Sequence, residues 1–381
     1  MIDLSVNYGG LKLKNPIVVA SGGISKNIEM MRRAEEQGAA AIVMKTLFEE
    51  EYARKNPAPC FKLIRRKSGP QRATSFYTFE QASPFGPERY AEEVSKAVKQ
   101  LSIPVIASIN CVNDSSWSTY SRLLEDSGAS AIEINRSCPY STVATSGKEM
   151  WTSLAADTIK RVKESVSLPV FIKLTPQLSD PLGAALLLEE AGADAMVFFS
   201  RFTGLEIDTS KEEPVMHGGI AGHGGLWSLH YALRWIASAY PVTKTSVIGS
   251  GGVGSGEDIV KHLLCGATAV QVCTAIYTEG FGVLAEYLDY LKKFMEEKGY
   301  HSLEDFRGNV CEKIIPTSEV KRGGSVVASI NREKCNRCGN CFDVCLYDAV
   351  DYSDQGYLIN NKCCGCGLCL QICPRACITL V

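Results

Sequence analysis

Over residues 1–308 the apolar positions fall into short continuous runs, separated by stretches that place apolar and charged residues at helical spacing. The runs are Ile17-Val18-Val19-Ala20, Ala41-Ile42-Val43-Met44, Pro104-Val105-Ile106, Ala131-Ile132-Glu133-Ile134, Pro169-Val170-Phe171, Ala195-Met196-Val197-Phe198, Ser246-Val247-Ile248 and Ala269-Val270-Gln271-Val272. Pro241-Val242, just ahead of the seventh, reads as a strand entered through proline. Four runs follow the same step: Gly38-Ala39, Gly128-Ala129, Gly192-Ala193 and Gly266-Ala267. Glycine there supplies the left-handed residue that stops a helix. Amphipathic stretches at 27–37, 117–126, 153–165, 180–190 and 255–264 predict helices. Eight buried strands alternating with helices predict an α/β fold, a (β/α)8 TIM barrel. An open doubly wound sheet is the rival. Residues 47–103 and the Gly-rich 201–226 interrupt the rhythm as insertions. In a barrel both belong to the C-terminal face, where the chemistry is kept.

The rhythm stops near residue 308, and the tail follows a different rule. Cys335, Cys338, Cys341 and Cys345 are spaced C-x2-C-x2-C-x3-C, and Cys363, Cys366, Cys369 and Cys373 repeat the spacing 28 residues later. This run holds paired [4Fe–4S] clusters, the fourth cysteine of each run crossing to the other cluster. Cys335, Cys338, Cys341 and Cys373 are therefore expected on one cluster, and Cys363, Cys366, Cys369 and Cys345 on the other. A zinc ribbon needs two separated C-x2-C pairs, and a disulfide scaffold belongs to a secreted chain. The expected organisation is a barrel over 1–308, a linker over 309–325 and a small α+β bacterial-type 2[4Fe–4S] ferredoxin domain over 326–381.

Composition narrows the classes further. A formal net charge of −2 with mixed signs gives no case for nucleic acid or an anionic membrane. No apolar run approaches the roughly 18 residues of a membrane span. Sixteen cysteines behind an N-terminus without a signal pattern point to reduced thiols and a cytoplasmic setting. Clusters of this kind also suit a low-oxygen host.

The strand ends are polar: Ala20-Ser21-Gly22, Lys45-Thr46, Ser108-Ile109-Asn110, Asn135, Lys173-Leu174-Thr175, Gly249-Ser250-Gly251-Gly252 and Cys273-Thr274. Capping alone explains any one of them; together they suit a large, anionic, hydrogen-bonding cofactor. Gly249-x-Gly251-x-x-Gly254 matches the dinucleotide expression, but the next strand ends Gln271-Val272-Cys273 and lacks the acidic residue that reading requires. The loop fits the phosphate site after strands seven and eight of a barrel, hence a mononucleotide. Cys138, in Asn135-Arg136-Ser137-Cys138-Pro139-Tyr140 after strand four, is placed to exchange a proton with a substrate carbon. Cys60, Cys111, Cys265 and Cys311 read as inert thiols, and Cys377 as a small core residue.

With Asn135-x-Ser137-Cys138-Pro139, Lys173-Leu174-Thr175-Pro176, Gly249-Ser250-Gly251-Gly252 and Gln271-Val272-Cys273-Thr274-Ala275, nearly the whole chain resembles the dihydroorotate and dihydropyrimidine dehydrogenases. It resembles in particular the FMN and iron–sulfur portion of the latter. The resemblance implies FMN against Ala20, Ser21, Lys45, Thr46, Glu80, Asn110, Asn135 and Lys173. Gly222, Ser250, Gly251, Gly252, Cys273 and Thr274 would hold its ribityl chain and phosphate. It implies hydride transfer between flavin N5 and one carbon of a C–C bond, with Cys138 serving the neighbouring carbon. Thr78, Asn135, Ser137, Ser200 and Arg201 match the substrate positions. Three of these depart from the pattern: the family loop Phe-Leu-Asn-Ile-Glu-Leu is Phe76-Tyr77-Thr78-Phe79-Glu80-Gln81 here, and an Asn-Thr pair is Ser200-Arg201. Lost amides and an added guanidinium imply an altered substrate, pyrimidine-like or otherwise cyclic and conjugated, possessing a carboxylate if Arg201 faces it. The alternative is uracil, thymine or dihydroorotate turnover proper. The sequence has no second nucleotide-binding region, so a flavoprotein or ferredoxin donor is expected, and the resemblance implies a homodimer. Arg332, Lys334 and Arg337 would receive an acidic donor, or simply form a solvated face. A Schiff-base lyase using Lys173 leaves the clusters without a role, and a non-catalytic electron-transfer subunit leaves Cys138 without one.

Overall fold

The computed structural model describes residues 2–49, 59–66, 73–78, 85–136, 148–215, 220–320 and 326–381. Eight parallel strands carry the first part: β1 (Ile17–Val19), β2 (Ala41–Val43), β3 (Val105–Asn110), β4 (Ala131–Ile134), β5 (Val170–Lys173), β6 (Ala195–Phe198), β7 (Ser246–Ser250) and β8 (Ala269–Val272). Each pairs with the next, and β8 pairs back to β1, so the sheet closes. Closure excludes the open doubly wound sheet; the fold is the (β/α)8 barrel. Pro241-Val242 is not strand. It lies in the turn after helix Leu229–Ala239, with the Val242 N–H donating to Ala239 O at 3.1 Å.

The Gly-Ala steps work as their chemistry requires. Gly38, Gly128, Gly192 and Gly266 take φ of 96°, 87°, 97° and 101°. Each glycine N–H and the following alanine N–H donate back into the helix just ended, as Gly38 to Glu35 O and Ala39 to Ala34 O. Orphan carbonyls are satisfied and the chain enters the next strand at once. Helices Ile28–Glu36, Asp114–Asp126, Lys148–Lys163, Pro181–Glu190 and Gly256–Leu264 match the amphipathic stretches. Pro87–Gln100, inside the 47–103 insertion, is a further helix that buries Tyr90, Ala91, Val94 and Ala97 along one stripe.

At its N-terminal end the barrel is plugged by the hairpin Val6–Tyr8 and Leu11–Leu13. Tyr8 is fully buried and stacks on Phe171 of β5, ring centroids 4.7 Å apart. Gly9 turns the hairpin at φ 55°, where a Cβ would sit 2.6 Å from the Phe171 ring and 2.8 Å from Asp194 O. Only glycine fits that approach. At the opposite end the two insertions meet. Their strands form one antiparallel sheet in the order Phe202–Leu205, Ile220–Gly224, Ala73–Thr78, Phe61–Arg66.

The chain divides into two compact units, Met1–Ile314 and Ile315–Val381. Residues 309–314, expected in the linker, pack on the first unit: Val310 N–H donates to Leu264 O and Cys311 Sγ to Cys265 O. The second unit is α+β. Strand Ala328–Ile330 pairs with Ile378–Leu380 and Val350–Ser353 with Gly356–Ile359, and the helices Asn340–Asp343 and Leu368–Ile372 complete it. Its cysteine repeat is a backbone repeat as well. Arg337 and Gly365, Gly339 and Gly367, and Asp348 and Ala376 are equivalent pairs, all at positive φ. Among the described residues no helix is long and apolar enough to cross a membrane.

Candidate active site

The polar strand ends surround one cavity at the C-terminal mouth of the barrel, with an empty volume of about 1240 Å³ counted out through its opening. Ala20, Ser21, Lys45, Thr46, Asn135 and Lys173 line it, as do Ser250, Gly251, Gly252, Cys273 and Thr274. The substrate positions Thr78, Ser200 and Arg201 line it too. Two expected contacts do not. Asn110 turns its Nδ2 to Asn135 O at 2.6 Å, and Gly222 lies in the antiparallel sheet opposite Thr78, with the Arg201 guanidinium packed over it. Glu80, Ser137 and Cys138 lie outside the described residues.

The floor is a connected set of hydrogen bonds. Ser21 Oγ meets Thr46 Oγ1 at 2.8 Å and accepts the Thr46 N–H at 2.9 Å. Thr46 Oγ1 also meets Ser108 Oγ at 2.8 Å and accepts from Asn135 Nδ2 at 3.1 Å. Residues on four different strand ends thereby fix one another, which gives a rigid polar surface rather than a set of loose side chains.

Beneath this floor lies a polar column that sequence reasoning missed. Lys173 Nζ donates to Gln271 Oε1 at 2.6 Å, and Gln271 Nε2 donates to Glu133 Oε2 at 2.7 Å and to Tyr8 Oη at 3.1 Å. Lys173 Nζ also lies 3.9 Å from Glu133 Oε1. Glu133 is fully buried, and burial beside it pushes the Tyr8 phenol well above its ordinary range. The signal was present: Glu133 and Gln271 are the polar third residues of otherwise apolar strands β4 and β8. An ammonium held beside a buried carboxylate is a poor nucleophile, which counts against the Schiff-base reading of Lys173.

One end of the cavity is backbone. Gly251 and Gly252 take φ of 102° and 73°, and a Cβ on Gly252 would strike the backbone of Leu229. The Gly251–Gly252 backbone and Thr274 both line the cavity, and backbone N–H groups with a hydroxyl are a donor set suited to a phosphate. Aromatic rings form the walls, another feature not read from the sequence: Phe48, Phe76, Phe199, Phe202, Tyr231 and Tyr277. Phe76 packs on Tyr277 at 5.1 Å and on Phe61 at 5.7 Å. Among the described residues no carboxylate lies within ion-pair distance of Arg201.

Three further thiols of the barrel unit are made less acidic by their surroundings. Burial raises Cys111 well above an ordinary thiol, Cys265 to about 11, and Cys311 to a lesser degree. Cys60 is half-buried.

In the second unit the eight cysteines of the repeat carry no disulfide. Cys345, Cys363, Cys364, Cys366 and Cys369 border one cavity of about 370 Å³, so the fourth cysteine of the first run stands with the first three of the second and with the spare Cys364. Backbone N–H groups point at these sulfurs, Ala349 to Cys345 at 3.2 Å and Ala328 to Cys363 at 3.3 Å. Cys373 Sγ lies 3.4 Å from Cys377 Sγ, and Cys377 is in the small core as expected. Burial opposes ionisation of Cys373, but the backbone N–H groups of Cys377, Arg375 and Ala376 outweigh it and hold the thiol low. No His, Cys, Asp and Glu group among the described residues is drawn tightly enough for a single metal ion.

A closed parallel barrel with a polar cavity at its C-terminal mouth and an antiparallel sheet built from the two insertions is the architecture of a barrel enzyme. Residues 3–295 match the family model for dihydroorotate dehydrogenase, and the chain belongs to that family. It is 31% identical over 310 residues to the catalytic subunit of dihydroorotate dehydrogenase B (NAD(+)) of Thermoplasma acidophilum, covering 81% of this chain and 99% of that one. It is 29% identical over 400 residues to the NAD-dependent dihydropyrimidine dehydrogenase subunit PreA of Escherichia coli (strain K12), covering 99% of this chain and 95% of that one. The catalytic subunit of dihydroorotate dehydrogenase B of Pyrococcus abyssi is 30% identical over 306 residues, 80% of this chain and 98% of its own. The protein is an enzyme, an oxidoreductase of the type that acts on CH–CH groups.

Proposed function

We propose that the barrel binds FMN and acts on a C–C bond of a cyclic, conjugated, pyrimidine-like substrate, while the second unit carries two [4Fe–4S] clusters that exchange electrons with a separate protein. The single observation that supports this most is the cavity itself: amides of Gly251 and Gly252 at one end, Lys45, Thr46, Asn135 and Lys173 on the floor, in a chain of the dihydroorotate dehydrogenase family. Bound FMN supplies hydride transfer at its N5. The chain's own residues do the rest. Thr46 and Asn135, locked by Ser21 and Ser108, orient the ring system; Lys173 offers it a fixed positive charge. The Cys138 thiol gives or takes the proton at the neighbouring substrate carbon, and the aromatic walls exclude water.

The clusters are supported by the cavity shared by Cys345, Cys363, Cys366 and Cys369, with N–H groups aimed at the sulfurs. The dihydropyrimidine dehydrogenase subunit matches 99% of this chain, whereas the dihydroorotate dehydrogenase subunits match about four-fifths. That favours the dihydropyrimidine type of organisation, with electrons from a flavoprotein or ferredoxin and a homodimeric assembly.

The pocket favours an anionic substrate over uracil. Thr78 and Ser200 stand where the family pattern has amides, and the Arg201 guanidinium borders the cavity without a carboxylate partner among the described residues. Dihydroorotate, named by several relatives, carries a ring carboxylate, so its oxidation is the second reading and Arg201 is what favours it. Anaerobic purification tests the whole: absorbance near 450 nm, FMN in the extract, and reduction of cyclic unsaturated acids by a chemical donor. Colourless protein that is silent with every such compound refutes the reading, and efficient turnover of uracil and thymine refutes the altered pocket.

A further inference from the structure

We propose that Glu133 is a positioning residue for Lys173: through Gln271 it holds the ammonium in place and aimed into the cavity from below. The inference rests on the FMN reading of that cavity and assigns a part to a residue that does not touch it. Glu133 projects into the barrel from β4, and no part of it is exposed. A carboxylate there is costly unless something demands its charge. Among the described residues the cation paired with it is Lys173, whose Nζ lies at 3.9 Å, and Lys173 is itself only 6% exposed.

Gln271 explains the geometry. Its side chain reads both neighbours at once, accepting from Lys173 and donating to Glu133, and its Nε2 also reaches Tyr8 Oη on the N-terminal plug. An amide has one oxygen and one nitrogen, so this arrangement admits only one orientation. Reversing it would set the amide nitrogen against the ammonium and the amide oxygen against the carboxylate. The splint therefore works only with Lys173 as a donor and Glu133 as an acceptor. Tyr8 stacked on Phe171 closes the column from beneath and keeps bulk water from that end. A charge fixed under the floor tunes the reduced, anionic flavin more than one that swings.

The test is the midpoint potential of bound FMN in the full-length protein, with flavin content and thermal unfolding recorded alongside. Wild type, Glu133→Gln, Lys173→Gln and the double variant are compared. Each single variant is expected to make the flavin harder to reduce, by roughly tenfold in the reduced-to-oxidised ratio, about 30 mV for a two-electron couple. The double variant is expected to fall no further than Lys173→Gln alone, because Glu133 acts only through that lysine. An unchanged potential in Glu133→Gln, a raised one (a lysine that keeps its charge unaided), or additive effects would each overturn the inference. If Glu133→Gln does not fold, Gln271→Met replaces it. That variant leaves both charges and removes the splint, and a wild-type potential there overturns the inference equally. Wild-type protein without flavin would remove the functional reading and this inference together; flavin-bearing variants with unmoved potentials would remove the inference alone.

Discussion

His262 packs behind Gly249 so closely that a Cβ on the glycine would overlap the imidazole Nδ1. The histidine is fully buried on helix Gly256–Leu264, and the glycine sits in β7 immediately before the Ser250–Gly252 loop. A titratable ring thus buttresses the strand that presents the proposed phosphate loop.

The first prediction concerns pH. Burial pushes His262 down to about 4 from an ordinary 6.5, with the Gly251 backbone and Asp258 offsetting this only in part. Between those values the unfolded chain takes up a proton that the folded chain refuses, so stability rises with pH across that window. It is complete above about 6.5 and declines as pH falls toward 4, by at most about 3 kcal/mol from this group. His262→Leu should flatten that part of the acid limb in denaturant titrations run at a series of pH values. An unchanged slope would assign the acid sensitivity to other groups.

Gly249→Ala should be costly although the strand itself tolerates alanine. The added methyl meets a ring that has nowhere to go, and overpacking of this kind costs about 1–3 kcal/mol. Flavin retention should fall with it, because the displaced strand end carries the loop. Shrinking the ring in Gly249→Ala/His262→Ala should recover part of the loss, read as non-additive unfolding midpoints. Strict additivity would place the damage elsewhere.

Contacts of this kind mark the limit of what the chain reveals unaided. The barrel was legible because each helix-to-strand step repeats the same chemistry: Gly38, Gly128, Gly192 and Gly266 all adopt the left-handed turn that a Gly-Ala pair implies. Polar strand ends such as Thr46, Asn135 and Lys173 were legible because a barrel keeps its site at one face. Glu133 and Gln271 were present as odd polar residues in apolar strands, but only closure of the barrel brings β4 and β8 to one column. The aromatic walls were hidden for a similar reason. Phe76 and Tyr277 are about 200 residues apart, and periodicity carries no information on pairs joined only by tertiary packing. Helix Pro87–Gln100 was overlooked for a different reason: its clear stripe lay inside a segment read as insertion.

Arg201 should decide charge preference. A charge-assisted hydrogen bond to a carboxylate contributes about 1.5–3 kcal/mol, or roughly 10- to 100-fold in kcat/KM. Arg201→Met should lose that factor on a carboxylate-bearing ring and little on a neutral analogue of the same shape. Steady-state kinetics on the pair measures it. Equal losses on both compounds would mean that Arg201 supports the sheet over Gly222 instead of reading charge.

Cys138 should be needed for turnover and for nothing else. Cys138→Ala is expected to abolish steady-state activity while flavin and iron content stay at wild-type level, since no cluster or flavin contact is assigned to it. Cys138→Ser should retain a small residual rate, rising with pH, because a hydroxyl is a weaker acid than a thiol. Wild-type activity in the alanine variant would transfer the proton to another group.

The cysteine repeat makes a sharper demand, because adjacent residues should behave oppositely. Cys363 and Cys364 both border the cavity with Cys345, Cys366 and Cys369, but only Cys363 receives the Ala328 N–H and belongs to the C-x2-C-x2-C-x3-C pattern, while Cys364 is exposed. Two cubanes correspond to about eight irons per chain. Cys363→Ser should lose about half of the iron and the associated low-temperature spin signal of one reduced cluster, whereas Cys364→Ser should keep both. Cys345→Ser should mimic Cys363→Ser rather than Cys335→Ser if, as the crossed assignment proposes, it serves the cluster of the other run. Loss of the same cluster in Cys345→Ser and Cys335→Ser would show that each run ligates its own cluster, and the crossed assignment would be wrong.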